Sequence, residues 1–150
     1  MSQVGQLATK RVVTAPPETT VLKLAQIMRE EHVGDVIIVE DDSNTPTGIV
    51  TDRDLVVGVM AQDPDDLTRL LARDVCLAPL YTCYADECVE DVVERMSIEG
   101  IRRLPVVDVE GALVGIVTFD DLLRHLVTTA GRLVEVASVQ RHVERYLRQS

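Results

Sequence analysis

Met28 and Met96 stand 68 residues apart, and at that offset much of the chain repeats itself. VVTAPPETTVLKLAQIM (Val12–Met28) falls on LYTCYADECVEDVVERM (Leu80–Met96), with Thr14 on Thr82, Val21 on Val89 and Leu24 on Val92. DVIIVE (Asp35–Glu40) falls on RLPVVD (Arg103–Asp108). One residue is then lost, and GIVTDRD (Gly48–Asp54) falls on GIVTFDD (Gly115–Asp121) at an offset of 67. A unit written twice constrains the fold more than any local propensity, because each copy can bury its apolar surface against the other.

Each copy reads as the same run of elements. A short extended piece ends near Thr14 or Thr82 and is followed by turn residues. Thr20 reads as an N-cap, and Val21, Leu24, Ala25, Ile27 and Met28 recur at the spacing of a one-sided helix. Val89, Val92, Val93 and Met96 do the same in the second copy. The short β-branched runs Val36–Val39 and Leu104–Val107 predict strands buried on both faces. Asp41–Thr47 and Val109–Gly111 read as hairpin loops, and Gly48–Thr51 and Val114–Thr118 as return strands. A second helix starts at TDRDLVVGVM and at TFDDLLRHLV. Thr51 with Asp54, and Thr118 with Asp121, have the T-x-x-D spacing of a capping box.

Between the copies, Asp63 as cap, Pro64 at the first helical position and Asp66 in the first turn predict a connecting helix that docks through Leu67, Leu70 and Leu71. After Ala130, the apolar set Leu133, Val136, Ala137, Val139, Val143, Tyr146 and Leu147 predicts a last amphipathic helix among Arg132, Arg141, Arg145 and Arg148. Core packing or a dimer seam is the commoner use of such a helix. The division is then residues 6–62 for the first repeat, 63–73 for the connecting helix, 74–130 for the second repeat and 131–150 for the C-terminal helix.

Composition sets outer bounds. With 46% hydrophobic residues but only 3% aromatic and no Trp, the core is built of Val, Leu, Ile and Ala. A net charge of -10 argues against a nucleic-acid backbone as partner. No apolar run approaches the roughly 18–20 residues of a membrane span, and MSQVGQLATK lacks the pattern of a signal peptide. Cys76, Cys83 and Cys88 form no CxxC pair and the three His are scattered, so the reading is free thiols in the cytoplasm and no metal site. No nucleophile with base and orienter stands out, so no catalytic residue is assigned and an enzyme is not expected. His32 is expected to be exposed or to cap the first helix.

The strand–helix–strand–strand–helix order, closed twice by G-h-h-T-x-x-D and carrying RRLPVVD, resembles the cystathionine-β-synthase (CBS) domain family over roughly residues 6–130. The resemblance implies an α/β (α+β) fold, with two tandem βαββα repeats packed through small mixed sheets about a pseudo-two-fold axis. It also implies a stand-alone regulatory pair, with AMP or ATP as regulatory ligand and no required cofactor. ADP is equally in scope, NAD or S-adenosylmethionine less so. Pairs of modules in this family commonly form disc-like dimers, so a homodimer and a separate effector protein are expected partners. By the same resemblance, Asp54 with Thr51 and Asp121 with Thr118 hold ribose and phosphate oxygens, while Val13, Thr14 and Val36, or Tyr81, Thr82 and Leu104, flank adenine.

The copies differ in charge. By resemblance, residues before the second strand of one copy meet the phosphate bound by the other. Those residues are Arg102 and Arg103 in copy two but Gly34 and Asp35 in copy one. The site built on Asp54, helped by Arg53, is thus expected to take the phosphorylated ligand. The site built on Asp121 is expected to face Asp35 and Asp120 and to stay empty or hold a less anionic ligand. Pro105 is replaced by Ile37 in copy one, which is expected to alter the strand edge rather than the pocket. Two other readings are a dimerisation protein with a vestigial cleft and a metal-cation sensor using the acidic stretch Glu40–Asn44.

Overall fold

A computed structural model of the chain describes residues 2–40, 43–62, 65, 67–76 and 79–148. Two three-stranded sheets form, one from β1 (Thr14–Ala15), β2 (Asp35–Val39) and β3 (Pro46–Thr51), the other from β4 (Cys83–Tyr84), β5 (Arg103–Val107) and β6 (Leu113–Thr118). In each, the first strand runs parallel to the central one and the return strand antiparallel. The central strands are buried on both faces, as their unbroken apolar runs require. Helices α2 (Val21–Glu31) and α4 (Val89–Glu99) carry the stripes read from the sequence. Val21, Leu24 and Met28, and Val89, Val92 and Met96, enter the two cores, whereas Ala25 and Val93 stay exposed at the stripe edge. Thr20 Oγ1 accepts from Lys23 N–H at 3.2 Å, the expected cap. His32 ends α2 in the left-handed conformation at φ 55°, the place that Gly100 takes at φ 65° in the second copy.

The repeats are tied together by an exchange of arms. The short helix α1 (Val4–Leu7) packs into the second core, with Gly5 N–H donating to Ala85 O at 2.9 Å and Thr9 and Ile116 exchanging backbone bonds at 2.9 and 3.0 Å. Its counterpart α3 (Ala72–Val75) packs on the first core, with Ala72 N–H donating to Thr19 O at 2.8 Å. The return strands accommodate these arms only because they carry glycine. A Cβ on Gly48 would lie 2.8 Å from Cys76 Sγ, and one on Gly115 would lie 3.1 Å from Thr9 O. A third cluster, Ile37, Val39, Leu113 and Ile116, joins the two sheets. Beside it Asn44 accepts from Leu113 N–H at 2.9 Å through its backbone and donates from Nδ2 to Leu113 O at 3.0 Å.

Four expectations are corrected. First, the described residues of 63–71 form a turn and an extended stretch rather than a connecting helix, and helix begins only with α3 at Ala72. Val21 N–H donates to Leu70 O at 2.8 Å, so this backbone bonds sideways to the start of α2. Leu67 and Leu70 do dock on the first core, while Asp63, Pro64 and Asp66 lie outside the described residues, as do Asp41 and Asp42 of the hairpin loop. Second, the tail is not a separate helix from residue 131. α5 runs unbroken over Phe119–Arg148, because Gly131 weakens a helix without ending it. Third, the helix after β3 is π-helical over Asp54–Val59 and then 3₁₀ over Met60–Gln62. Fourth, the short extended pieces expected to end near Thr14 and Thr82 instead begin their strands there, β1 at Thr14 and β4 at Cys83.

Candidate functional site

Both T-x-x-D phrases fold as reciprocal boxes where a return strand becomes a helix. Thr51 N–H donates to Asp54 Oδ2 at 2.8 Å and Asp54 N–H to Thr51 Oγ1 at 3.1 Å. In the second copy Thr118 N–H and Oγ1 both donate to Asp121 Oδ2, at 3.0 and 2.7 Å, and Asp121 N–H donates to Thr118 Oγ1 at 3.2 Å. The capping role is therefore real in both. Each box also presents a carboxylate at a strand-to-helix corner. Asp54 is exposed and Asp121 half-buried, with Thr51 and Thr118 half-buried beside them. A carboxylate has about four acceptor positions, so one held by a single oxygen still has room for paired hydroxyls. The first corner opens into a π-helical segment, a geometry that tends to mark functional positions.

The charged residues are arranged differently from the sequence expectation. Arg103 pairs with Asp35, its own counterpart in the first copy, in a half-buried ion pair between the repeats. Asp35 is the register partner of Thr51, so Arg103 does reach the first corner, but with its charge met by a carboxylate. Arg102 stays at the second corner. Its guanidinium lies 3.8 Å from Asp120 and 5.1 Å from the Phe119 ring centroid, and its carbonyl accepts from Phe119 N–H at 2.8 Å. The antiparallel register, with Arg103 opposite Thr118, dictates this by setting residue 102 against the start of α5. The expected charge asymmetry therefore does not stand as read, because Asp35 and Asp120 both have cationic partners. Arg53 is exposed in the first corner, with its N–H on Asp52 Oδ1 at 2.7 Å.

The expected adenine walls divide into backbone and side chain. Val36 and Leu104 are fully buried in the two cores, so only their backbones can face a ligand. Thr14 is exposed, and Val13, Tyr81 and Thr82 are half-buried. Arg95, which no motif pointed to, donates from Nη1 to Thr82 O at 2.7 Å and pairs with Glu87 at 2.6 Å. A polar residue at the helix position where copy one has Ile27 was the available signal. The Glu99 carboxylate bonds the Tyr81 hydroxyl and holds its pKa above the usual tyrosine range.

Among the described residues, two cavities lie away from the corners and an apolar groove adjoins the second corner. A pair at the opposite strand ends is related by the repeat, one of about 330 Å³ beside Pro17, Ile38, Glu40 and Arg73, the other of about 470 Å³ beside Gly5, Ala85, Val106 and Asp108. An apolar groove of about 360 Å³ runs between α4 and α5, past Val93, Met96, Phe119 and Leu126. The three cysteines are free thiols. Burial pushes Cys83 up to about 12 and also raises Cys76, while Cys88 is raised by its bond to Asp91. Among the described residues no group of three or more His, Cys, Asp or Glu is placed to hold a metal ion, and no helix is long and apolar enough to cross a membrane.

Known proteins share this arrangement. Residues 4–60 and 72–128 each match the CBS domain. An uncharacterized protein of Methanopyrus kandleri is 42% identical over 123 residues, which is 81% of this chain but 61% of that protein, less than two thirds of its length. The crystal structure of Hypoxic Response Protein I with two coordinated zinc ions superposes with a TM-score of 0.73 at 30% identity, covering 83% of this chain and 99% of that one. The CBS domain pair of protein MJ0100, in complex with 5′-methylthioadenosine and S-adenosyl-L-methionine, superposes with a TM-score of 0.72 at 26% identity, covering 86% and 98%.

Proposed function

Since the chain belongs to the CBS domain family, we propose that it is a non-catalytic regulatory module that binds an adenosine-containing ligand at its two Thr/Asp corners. The observation that carries this reading is the duplicated box, in which Asp54 and Asp121 stand at the mouths of helices with hydroxyls three residues before them. Capping alone needs one carboxylate oxygen. The remaining acceptor capacity, set beside helix N–H groups, suits the vicinal hydroxyls of a ribose and a nearby anion. The adenosine ligands on the MJ0100 pair support the same class. AMP, ADP and ATP join S-adenosylmethionine and 5′-methylthioadenosine as candidates, with NAD behind them.

The signal leaves through a partner. Exposed apolar side chains on the outer helices, Leu22, Val56 and Met60 in copy one and Phe119, Leu123 and Leu126 in copy two, fit pairing with a second copy. Free thiols fit a reducing compartment, the cytoplasm. Zinc sensing has less support, since the described residues bring no His and Cys cluster together.

A thermal-shift panel of AMP, ADP, ATP, NAD, 5′-methylthioadenosine and S-adenosylmethionine tests the proposal. A ligand at 100 times its Kd adds about 2.7 kcal/mol to the folded state, a clear rise in melting temperature. A flat panel leaves only the scaffold reading.

A further inference from the structure

Helix α5 runs well past the fold it closes. The second domain match ends at residue 128, and the helix continues to Arg148, about 30 Å further at 1.5 Å per residue. Every residue from 126 to 141 is exposed, with Leu133, Val134, Val136 and Val139 between 61% and 68%. Intrinsic preference does not hold such a helix. Gly131 and the β-branched Thr128, Thr129, Val134, Val136 and Val139 are poor helix formers, and helices in proteins gain most of their stability from a packed apolar face.

The tail carries the heptad of a helix that pairs with another. Leu126, Leu133, Gln140 and Leu147 stand at a positions, and Thr129, Val136 and Val143 at d positions. No charged residue of 126–148 stands at either. The two polar members fix the direction. In an antiparallel pair an a layer meets a d layer, and the register that sets Leu133 on Val136 also sets Thr129 on Gln140 and position 126 on position 143. Polar then meets polar and the other layers are apolar. A parallel pair would spread the same residues over two polar layers. Charge agrees with the antiparallel choice. Two Asp and one Arg leave residues 119–128 at -1, while three Arg and one Glu leave residues 139–148 at +2. Antiparallel helices set these opposite ends side by side, as their dipoles also favour. A lipid surface fits less well, because the tail has neither Trp nor Lys and carries Glu135 and Glu144.

We infer that two copies of this chain exchange tails. The α5 tail of each runs antiparallel along that of the other, centred between Val134 and Glu135. This register carries the last two turns of each tail over the partner's groove between α4 and α5, beside Val93, Met96 and Phe119. One occupant thus covers both the exposed tail and the apolar groove, and it comes from outside the matched domain. The inference deepens the pairing with a second copy proposed above and does not depend on the nucleoside sites.

Crosslinking in solution tests it, on the full chain carrying Cys76→Ala, Cys83→Ala and Cys88→Ala. A short bis-maleimide is added to Thr129→Cys alone, to Gln140→Cys alone and to their mixture. A crosslinked dimer is expected in the mixture only, because position 129 faces position 140 of the partner and lies about 16 Å along the seam from the partner's 129. Crosslinking within either single variant means a parallel pair and overturns the inference. A dimer by sedimentation that none of the three samples crosslinks also overturns it, while the pairing reading stands. A monomer by sedimentation ends both. Capture by vesicles of phosphatidylserine and phosphatidylcholine, with the crosslink lost, assigns the face to lipid and overturns it as well. Should the cysteine-free background fail to fold, Leu133→Glu with Val136→Glu in the native chain decides. Glu is a good helix former, so the expected loss of helical signal in far-ultraviolet circular dichroism reports the lost partner, and an unchanged spectrum overturns the inference.

Discussion

Gly48→Ala probes the exchanged arm through one methyl group. Its Cβ would meet Cys76 Sγ at 2.8 Å and Cys76 Cβ at 3.1 Å, against an optimum of about 3.5–4.0 Å for carbon contacts. Overpacking of this kind costs about 1–3 kcal/mol. The loss of unfolded-chain freedom from Gly to Ala offsets roughly 0.4–1 kcal/mol of that. The net is a loss of about 1–2 kcal/mol, or roughly 2–8 °C in melting temperature at about 2–4 °C per kcal/mol for this chain length. The obstructing atom is the end of a side chain, so Cys76→Ala in the same molecule should relieve most of the strain. Chemical denaturation of the wild type, both single variants and the double variant gives the coupling, expected at about 0.5–2 kcal/mol and favourable. Gly115→Ala is the control. Its Cβ meets Thr9 O at 3.1 Å, backbone that no truncation removes, so Ala8→Gly should not rescue it fully. Strict additivity of Gly48→Ala and Cys76→Ala would refute the arm packing.

Arg103→Ala and Asp35→Ala should each destabilise by about 1–3 kcal/mol, because each leaves a half-buried charge without its partner, and the double variant should cost less than the sum in a urea cycle. Thr51→Ala and Thr118→Ala each remove one half of a box and should lower stability by about 0.5–2 kcal/mol, read by thermal unfolding without ligand. Cys83 keeps its proton in the folded state up to about 12, whereas the unfolded thiol ionises near 9.0. Between those values the unfolded chain binds fewer protons, so this contribution to stability falls as pH rises through the window. Cys83→Ala, the residue that copy one has at Ala15, should flatten that decline in denaturation curves at pH 8 and 10.5.

The duplicated elements were legible because their causes are local. Apolar spacing places Leu24 and Met28 in one core and Val92 and Met96 in the other, and the T-x-x-D spacing closes both boxes. The arm exchange was not legible, since nothing near Val4 says that its burial partner is the other copy. The paired glycines at 48 and 115 were the trace it left. Arginine roles failed for a related reason. The family resemblance gave Arg102 and Arg103 one shared role, but register set one against Asp120 and sent the other across to Asp35. The connecting helix failed because backbone groups that a helix would use bond to the start of α2 instead. The boundary placed after Ala130 failed because the helix runs on through Gly131, and an isolated glycine does not stop a helix that has no left-handed cap.

The most direct test of the central claim is a crystal structure of the chain grown with 5′-methylthioadenosine. The account predicts a ribose whose two hydroxyls lie within about 3.2 Å of the Asp54 or Asp121 carboxylate. A nucleoside seated instead at the opposite strand ends, beside Glu40 and Arg73 or beside Asp108, with both boxes untouched, would contradict it.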